Sequence, residues 1–316
     1  MVSYRSFSFE TSSLLRLSLL MVLLNGSKLY SQATHEHDHG HGHGHGRGHG
    51  HRRDDNQGVQ EQKVNVDGLD INYVRTGTGD HPILLLPGAM GWSWDNFRPQ
   101  IEGLDREKFT VIAWDPPGYG KSRPPNRTFP LDFYSRDATW ARNLMKTLGF
   151  ETFSPVGWSD GGVSALILSA NYPQNVRKLV AVAAQAFLSQ QEIEEYRQIR
   201  NIDTLPDDLR QQLSDYYGED YFRNMWAAWI DGLDNIYTQR NGDICKELLP
   251  KIRAPTLIMQ GSNDTGVPAF HRVYLKDHIR GAKLKIVQNA THPVQLEYPE
   301  EFNSIVTDFL TKGIVS

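Results

Sequence analysis

The chain has 316 residues, a formal net charge of −4 and a single cysteine. This charge balance provides no basic surface of the kind that binds nucleic acid, so we expect no nucleic-acid partner. Cys245 has no second cysteine with which to form an internal disulfide, so the fold does not depend on an oxidising compartment. We expect Cys245 to be a small buried residue and not a nucleophile.

The first sixty residues do not have the composition of a globular domain. Residues 14–24 form a mostly apolar segment that is too short to span a bilayer, and Arg5 precedes it. Residues 31–33 resemble a small-x-small cleavage site, which predicts a signal peptide over residues 1–33 and a secreted or endomembrane-lumenal protein. The alternative is a mitochondrial transit peptide, because the segment is rich in serine and contains only one acid, Glu10.

A histidine- and glycine-rich tract follows the leader. Eight of the 12 histidines lie between residues 35 and 51, mostly in alternation with glycine. Such a sequence cannot build a packed core, so we expect residues 34–60 to be disordered. Imidazoles at this density bind transition metals, which leaves two interpretations: a metal-binding segment or a plain spacer.

The motif G-x-S-x-G occurs at residues 157–161, with Ser159 at its centre. An apolar strand is predicted before it at 152–156, and an apolar helix after it at 162–172. A serine between a strand and a helix lies on a very tight turn, and Gly157 and Gly161 allow that turn to close. The turn exposes the serine hydroxyl, as a nucleophile requires.

A serine nucleophile needs a general base, and four histidines lie outside the tract. His81 precedes a predicted strand and is therefore at the wrong end of it, while His271 and His278 are interpreted as surface residues of a helix. His292 follows the predicted strand 283–287 across a short polar loop. It is therefore at the carboxyl end of a strand, where open α/β sheets place their chemistry.

The acid that orients the base is found by the same argument. The apolar segment 256–261 is typical of a buried strand, and Asp264 lies on the loop directly after it. The resulting chain order is Ser159, Asp264, His292, which is the order of an α/β hydrolase. We therefore predict these three as the catalytic residues.

An oxyanion hole is predicted on the loop that follows strand 82–86. Glycines flank residues 87–91, so backbone N–H groups of this loop can point into the site. One donor is expected from Ala89 or Met90, and the second from the backbone of Asp160.

The side chain of Asp160 has two possible roles. A carboxylate beside the nucleophile opposes a reaction that builds an oxyanion, unless a substrate cation neutralises it. Alternatively, Asp160 stabilises the amino terminus of the following helix. The residues alone leave both roles open.

Residues 61–316 are expected to form one α/β domain with a mostly parallel sheet covered by helices on both faces. Strands are predicted at 63–66, 69–74, 83–86, 109–114, 152–156, 176–184, 256–261 and 283–287. Residues 186–250 contain no strand candidate and are predicted to form a helical cap over the site. Within the cap, helical spacing places on one face Trp226, Trp229, Ile230 and Leu233, a stripe more typical of core packing than of substrate contact.

The motifs resemble the biphenyl hydrolase-like branch of the α/β-hydrolase family over residues 61–312. The resemblance rests on the segments 84–88, 113–116, 118–120, 122–125, 157–162 and 229–232. It implies a cofactor-free esterase acting on α-amino-acid esters, with the Asp160 carboxylate holding the substrate ammonium group. Pro117 departs from the branch, where arginine is common, and Met90, Trp92 and Trp94 are expected to reshape the acyl pocket.

Three alternatives remain. The same fold supports C–C bond hydrolysis and general carboxylesterase activity, whereas epoxide hydrolases and dehalogenases carry an aspartate at the position of Ser159. A non-enzymatic alternative is metal sequestration by the histidine-rich tract. The lead hypothesis is a monomeric serine hydrolase that acts on a small-molecule ester without a resident metal or cofactor and has no membrane span in the mature chain.

Three glycosylation sequons begin at Asn126, Asn263 and Asn289. The second and third overlap the loops of Asp264 and His292, where a glycan would crowd the site. Either these asparagines are shielded, or the domain does not pass through the glycosylation machinery. The sequons therefore oppose the secretory prediction.

Overall fold

The computed structural model describes residues 59–315, so the predicted leader at 1–33 and almost all of the tract at 34–60 lie outside the described residues. The described chain contains one eight-stranded sheet with the spatial order β1-β2-β4-β3-β5-β6-β7-β8. Its strands are β1 (Gln60–Val66), β2 (Leu69–Thr76), β3 (His81–Leu86), β4 (Phe109–Trp114), β5 (Ser154–Trp158), β6 (Leu179–Val182), β7 (Thr256–Gly261) and β8 (Lys283–Val287).

The sheet is mostly parallel, as predicted. Strands β1 and β2 form an antiparallel hairpin, and β2 also pairs antiparallel with β4. All pairs from β4 through β3 to β8 are parallel. The carboxyl ends of β3 to β8 therefore meet at one edge of the sheet.

Helices cover both faces of the sheet. They are α1 (Ser93–Gly103), α2 (Phe133–Thr147), α3 (Asp160–Asn171), α4 (Gln190–Gln198), α5 (Asp207–Tyr217), α6 (Glu219–Arg240), α7 (Ala269–His278), α8 (Val294–Glu297) and α9 (Pro299–Lys312). Helix α3 is apolar on all sides and is buried along almost its whole length. It therefore holds the end of β5 rigidly in the core.

The bounds of β1, β2, β3, β5, β6 and α3 differ from those predicted, and the differences at β6 and α3 lie next to the site. The predicted strand at 176–184 is reduced to β6, because Val176 makes only an isolated bridge to Phe153 and Ala183 has a φ of 46°. A positive φ for a residue with a side chain is incompatible with a continuing strand. Helix α3 begins at Asp160, two residues earlier than predicted, so the turn after β5 is tighter than the sequence indicated.

The insertion between β6 and β7 contains α4, α5 and α6 and two short 3-10 helices, with no strand. An antiparallel bridge joins Phe187 to Asp243, so the two ends of the insertion meet. Cys245 follows and is 3% exposed, which confirms the prediction that it is buried. Within the described part of the chain, no helix is long and apolar enough to cross a membrane, and no three potential metal-binding side chains cluster.

Candidate active site

The backbone at Ser159 is strained. It has φ 56° and ψ −123° between the end of β5 and the start of α3. A Cβ on Gly157 would lie 2.2 Å from the carbonyl oxygen of Gly161, and one on Gly161 would lie 2.1 Å from that of Leu86. The turn therefore needs glycine at both positions, as the motif predicted.

His292 and Asp264 meet across the loops that follow β8 and β7. His292 Nδ1 is 3.1 Å from both carboxylate oxygens of Asp264, and the two side chains are 4% and 0% exposed. Asp264 also accepts hydrogen bonds from the N–H groups of Gly266 and Val267 and from the side chain of Gln260. Burial alone would raise the pKa of Asp264, but His292 and these donors lower it below its ordinary value, so the carboxylate stays ionised.

Ser159 and His292 line the same cavity, which has a volume of about 520 Å³. The cavity lies between the carboxyl edge of the sheet and the insertion, whose contributions include Tyr196, Trp226 and Trp229. The aromatic stripe of α6 thus packs in the core and also faces the cavity. The structure brings all three predicted catalytic residues to one place.

The loop after β3 places its two candidate oxyanion donors differently. Ala89 lines the cavity, whereas Met90 is 2% exposed and has a φ of 58°. The third candidate, Asp160, is the first residue of α3, where backbone N–H groups have no intrahelical partner. Of the three candidates, Ala89 and Asp160 line the cavity of Ser159 and Met90 does not.

The Asp160 side chain does not cap α3. No side-chain cap hydrogen bond is present at that terminus. Instead, one carboxylate oxygen accepts from the Tyr134 hydroxyl at 2.7 Å and the other from Trp229 Nε1 at 2.9 Å. Burial raises the pKa of Asp160 to about 6, although both hydrogen bonds act to lower it. The group is thus an ionisable carboxylate on the cavity wall, held by two neutral donors.

A buried ion pair lies behind Asp160. Arg127, which is 7% exposed, pairs with Asp137 and donates to the carbonyl oxygen of Pro117 at 3.2 Å. Both members of the pair line a second cavity of about 270 Å³, together with Asp160. The loop at Pro117 is therefore braced by an arginine from elsewhere in the chain.

A profile of the alpha/beta hydrolase fold matches residues 81–203. The chain is 42% identical over 252 residues to serine hydrolase BPHL of Mus musculus and of Homo sapiens, covering 80% of this chain and 87% of each relative. The chain belongs to the alpha/beta hydrolase family. A further relative, at 29% identity, is 2-hydroxy-6-oxononadienedioate/2-hydroxy-6-oxononatrienedioate hydrolase 2 of Pseudomonas putida, covering 77% of this chain and 92% of that one.

Solved structures show the same alpha/beta hydrolase fold. A serine hydrolase involved in carbazole degradation matches with a TM-score of 0.65 and 25% identity, covering 80% of this chain and 99% of that one. A serine hydrolase from Cycloclasticus zankles matches with a TM-score of 0.67 and 21% identity, covering 81% and 99%. The predicted fold class and family are confirmed, and the protein is a hydrolase.

The sequence interpretation of one histidine of this hydrolase was wrong. His271 is 0% exposed, and its Nε2 lies 2.8 Å from Glu192 Oε1 of α4. The helical spacing of α7 could not show that the insertion covers this face. His278 is exposed, as predicted, and His81 lies at the amino end of β3, where burial lowers its pKa to about 4.

The three sequon asparagines, Asn126, Asn263 and Asn289, are exposed. The alternative that those in the catalytic loops are shielded is therefore wrong. Asn263 Nδ2 lies 3.4 Å from the carbonyl oxygen of Asn289, and neither residue lines the cavity of Ser159.

Several residues around the site escaped the sequence argument. No catalytic motif marks Tyr134 or the Arg127–Asp137 pair. Tyr134 reaches Asp160 from α2, and the pair only shares the second cavity with Asp160. The sequence feature that could have indicated these neighbours is the tryptophan stripe of α6, but that stripe was interpreted mainly as core packing.

Proposed function

We propose that this hydrolase cleaves α-amino-acid esters through an acyl-enzyme on Ser159. In the first step the Ser159 hydroxyl oxygen attacks the ester carbonyl, and its proton passes to His292. Asp264 holds the imidazole in place and stabilises the imidazolium that forms. The negative charge that develops on the carbonyl oxygen is stabilised by the backbone N–H groups of Ala89 and Asp160.

The tetrahedral intermediate collapses when the ester C–O bond breaks and His292 returns its proton to the departing alcohol. Water then attacks the acyl carbon and gives a proton to His292. The second intermediate collapses to the carboxylic acid and free Ser159. Every proton transfer in this reaction goes through the imidazole of His292, so the reaction needs no cofactor.

The observation that carries the substrate assignment is the carboxylate of Asp160. It lies on the wall of the cavity that contains Ser159, and its protein hydrogen bonds come from Tyr134 and Trp229, which are neutral. Among residues 59–315, no salt bridge is formed by this carboxylate at 4.0 Å or less. An α-ammonium group lies two bonds from the carbonyl carbon of its ester, so it can reach the residue next to the nucleophile.

The same observation disfavours the C–C bond hydrolase alternative. The substrates named for the 29% identical relative are dioates, which carry carboxylate groups. An ionised Asp160 would repel such an anion in a partly buried site. A general carboxylesterase is compatible with the rest of the geometry, and only the use of Asp160 separates it from the proposal.

The catalytic part of the proposal is tested by labelling and by substitution. A fluorophosphonate probe should label the purified protein at Ser159, and Ser159→Ala should abolish labelling. Ser159→Ala and His292→Ala should each lower kcat by about 10³-fold or more while the thermal unfolding temperature stays near that of the parent. Ester turnover by Ser159→Ala at the parental rate would show that the nucleophile is elsewhere.

A further inference from the structure

The turn that carries Ala89 and Met90 contains an unfavourable backbone conformation. The N–H of Gly91 donates to the carbonyl oxygen of Gly88 at 3.1 Å, which closes a four-residue turn. Met90 is the third residue of this turn and has a φ of 58°, a position that glycine normally occupies. A residue with a side chain keeps such a conformation only where its surroundings impose it.

Two side chains hold the turn, one at each end. Asn96 of α1 accepts from the Gly88 N–H at 3.0 Å, and Tyr217 of α5 donates its hydroxyl to the Met90 carbonyl oxygen at 2.9 Å. The N–H groups of Ala89 and Met90 lie between these two bonds. Their direction therefore depends on both side chains.

Tyr217 belongs to the insertion and not to the sheet. It is the last residue of α5, is 5% exposed, and also accepts a hydrogen bond from the N–H of Gly120 at 3.1 Å. Burial raises the pKa of this phenol well above its ordinary value, so the hydroxyl remains a donor at any physiological pH. The guanidinium of Arg123 lies over the ring, 4.8 Å from its centroid, and this cation–π contact also holds the ring in place.

We propose that Tyr217 is a positioning residue that holds the turn of residues 88–91, the oxyanion turn, in its reactive conformation. The insertion then contributes to the reaction rate as well as to substrate binding. This inference rests on the proposed function, since it assumes that the Ala89 N–H of this turn stabilises an oxyanion. Without the hydroxyl, Met90 can relax to negative φ, and the neighbouring N–H groups then turn away from the developing charge. The loss appears in the transition state and hardly in the bound ester.

The test compares Tyr217→Phe with Tyr221→Phe. The Tyr221 hydroxyl also ties the insertion to the sheet, because it donates to the Gly118 carbonyl oxygen at 2.7 Å and accepts from the Arg127 N–H at 2.9 Å. The Tyr221 hydroxyl makes no hydrogen bond to the oxyanion turn. Each substitution deletes one hydroxyl that makes two hydrogen bonds, so Tyr221→Phe controls for mere docking of the insertion.

Two measured quantities, kcat and the inhibition constant of a boronate, distinguish a residue that positions the turn from one that only attaches the insertion to the sheet. Tyr217→Phe should lower kcat by about tenfold and change KM by less than about twofold, the pattern of a lost transition-state interaction. Phenylboronic acid accepts a lone pair from a nucleophilic serine and forms a tetrahedral adduct, so its inhibition constant should rise by about the same factor as kcat falls. Tyr221→Phe should change neither quantity by more than about twofold.

The proposal is overturned if Tyr217→Phe keeps the parental kcat and boronate affinity, or if Tyr221→Phe loses as much. Asn96→Leu removes the other hydrogen bond to the turn and should show the same loss of kcat and of boronate affinity, which supplies a second test if Tyr217→Phe does not fold. Failure of the proposed function would look different, because Ser159→Ala would then retain activity.

Discussion

At the tight turn between β5 and α3, the candidate nucleophile Ser159 is followed directly by the carboxylate of Asp160. Ser159 adopts its positive φ because glycines at 157 and 161 remove the side chains that would clash with the backbone. Asp160 then begins α3 with its side chain turned into the cavity, toward Tyr134 and Trp229. The same tight turn therefore fixes the distance between nucleophile and carboxylate.

The preference for a free amine should depend on pH in a bell-shaped manner. Because the folded protein raises the pKa of Asp160 to about 6, the carboxylate is ionised above that pH and loses its charge as the pH falls through it. The substrate ammonium loses its own proton above about pH 7.7. The ratio of kcat/KM for L-phenylalanine methyl ester to that for its N-acetyl derivative should therefore be greatest between these values. A ratio that stays constant from pH 5 to 8 would contradict a charged contact.

Tyr134→Phe should move the acid limb of that profile. The substitution removes the 2.7 Å hydrogen bond to the carboxylate and leaves the ring in place. Losing a hydrogen bond to a charged group should raise the pKa of Asp160 by about one unit or more, so the preference should disappear at a higher pH. Tyr172→Phe is the matched control, because its hydroxyl forms a hydrogen bond with Thr139 in the middle of α2 and none with Asp160. An unchanged profile in Tyr134→Phe would show that the bond does not tune Asp160.

The sequence predicted three candidate catalytic residues that the structure brings together, but it did not predict the side chains that surround them. Ser159, Asp264 and His292 each follow a strand that is apolar enough to recognise, and parallel strands bring their carboxyl ends together. Tyr134 and Trp229 reach the site from elements whose mutual packing no local pattern encodes. For that reason the charge on Asp160 was predicted, but its environment was not.

At the scale of elements, buried strands were the most predictable features. Strands β4, β7 and β8 have the predicted bounds, because β4 and β7 are largely apolar and fully buried and β8 ends in two apolar residues before a polar loop. Strand β6 is shorter than predicted, since Ala183 takes a positive φ that no residue preference indicates. The sequence also did not show that one face of α7 packs against the insertion, so His271 was wrongly predicted to be a surface residue.

The pair between His271 and Glu192 should contribute strongly to stability. It joins α7 to α4, and Glu192 also forms the capping box of α4 with Ser189. His271→Ala leaves a cavity and deprives a buried carboxylate of a partner, so the free energy of unfolding should fall by about 2 kcal/mol or more. His278→Ala, on the exposed side of the same helix, should change it by less than about 0.5 kcal/mol. If urea denaturation shows the same loss of unfolding free energy in both variants, the buried pair does not contribute more to stability than the exposed histidine.

At the scale of the whole molecule, the active cavity is made by two parts of the chain. The carboxyl edge of the sheet provides Ser159 and His292, and the insertion covers them with Tyr196, Trp226 and Trp229. Tyr217 links the insertion to the oxyanion turn. Under the proposed function, substrate binding and reaction rate should therefore both depend on the contact between the sheet and the insertion.

The histidine-rich tract should act independently of this cavity. We propose that the dense imidazoles of this segment bind zinc, so deleting residues 34–56 should abolish the tight fraction of zinc binding. Ester hydrolysis should be unchanged by the deletion and by a chelator added to the full chain. Calorimetric zinc titration and steady-state kinetics on both proteins measure the two effects. A large loss of kcat/KM in either case would contradict the separation.

The central claim is that Asp160 selects substrates by binding an ammonium group, and one measurement tests it most directly. We compare kcat/KM near pH 7 for L-phenylalanine methyl ester and its N-acetyl derivative in the parent, in Asp160→Asn and in Asp132→Asn. Asp132 is an exposed carboxylate at the start of α2, so its substitution controls for net charge.

The parent should prefer the free amine by about ten- to a hundredfold, the value of one charge-assisted hydrogen bond. Asp132→Asn should retain this preference. Asp160→Asn should lose most of it while cleaving the N-acetyl ester at a similar rate, because the backbone N–H of residue 160 remains. If the parent cleaves both esters equally, or if Asp160→Asn keeps the preference, the carboxylate is not the selector and the protein is a general carboxylesterase.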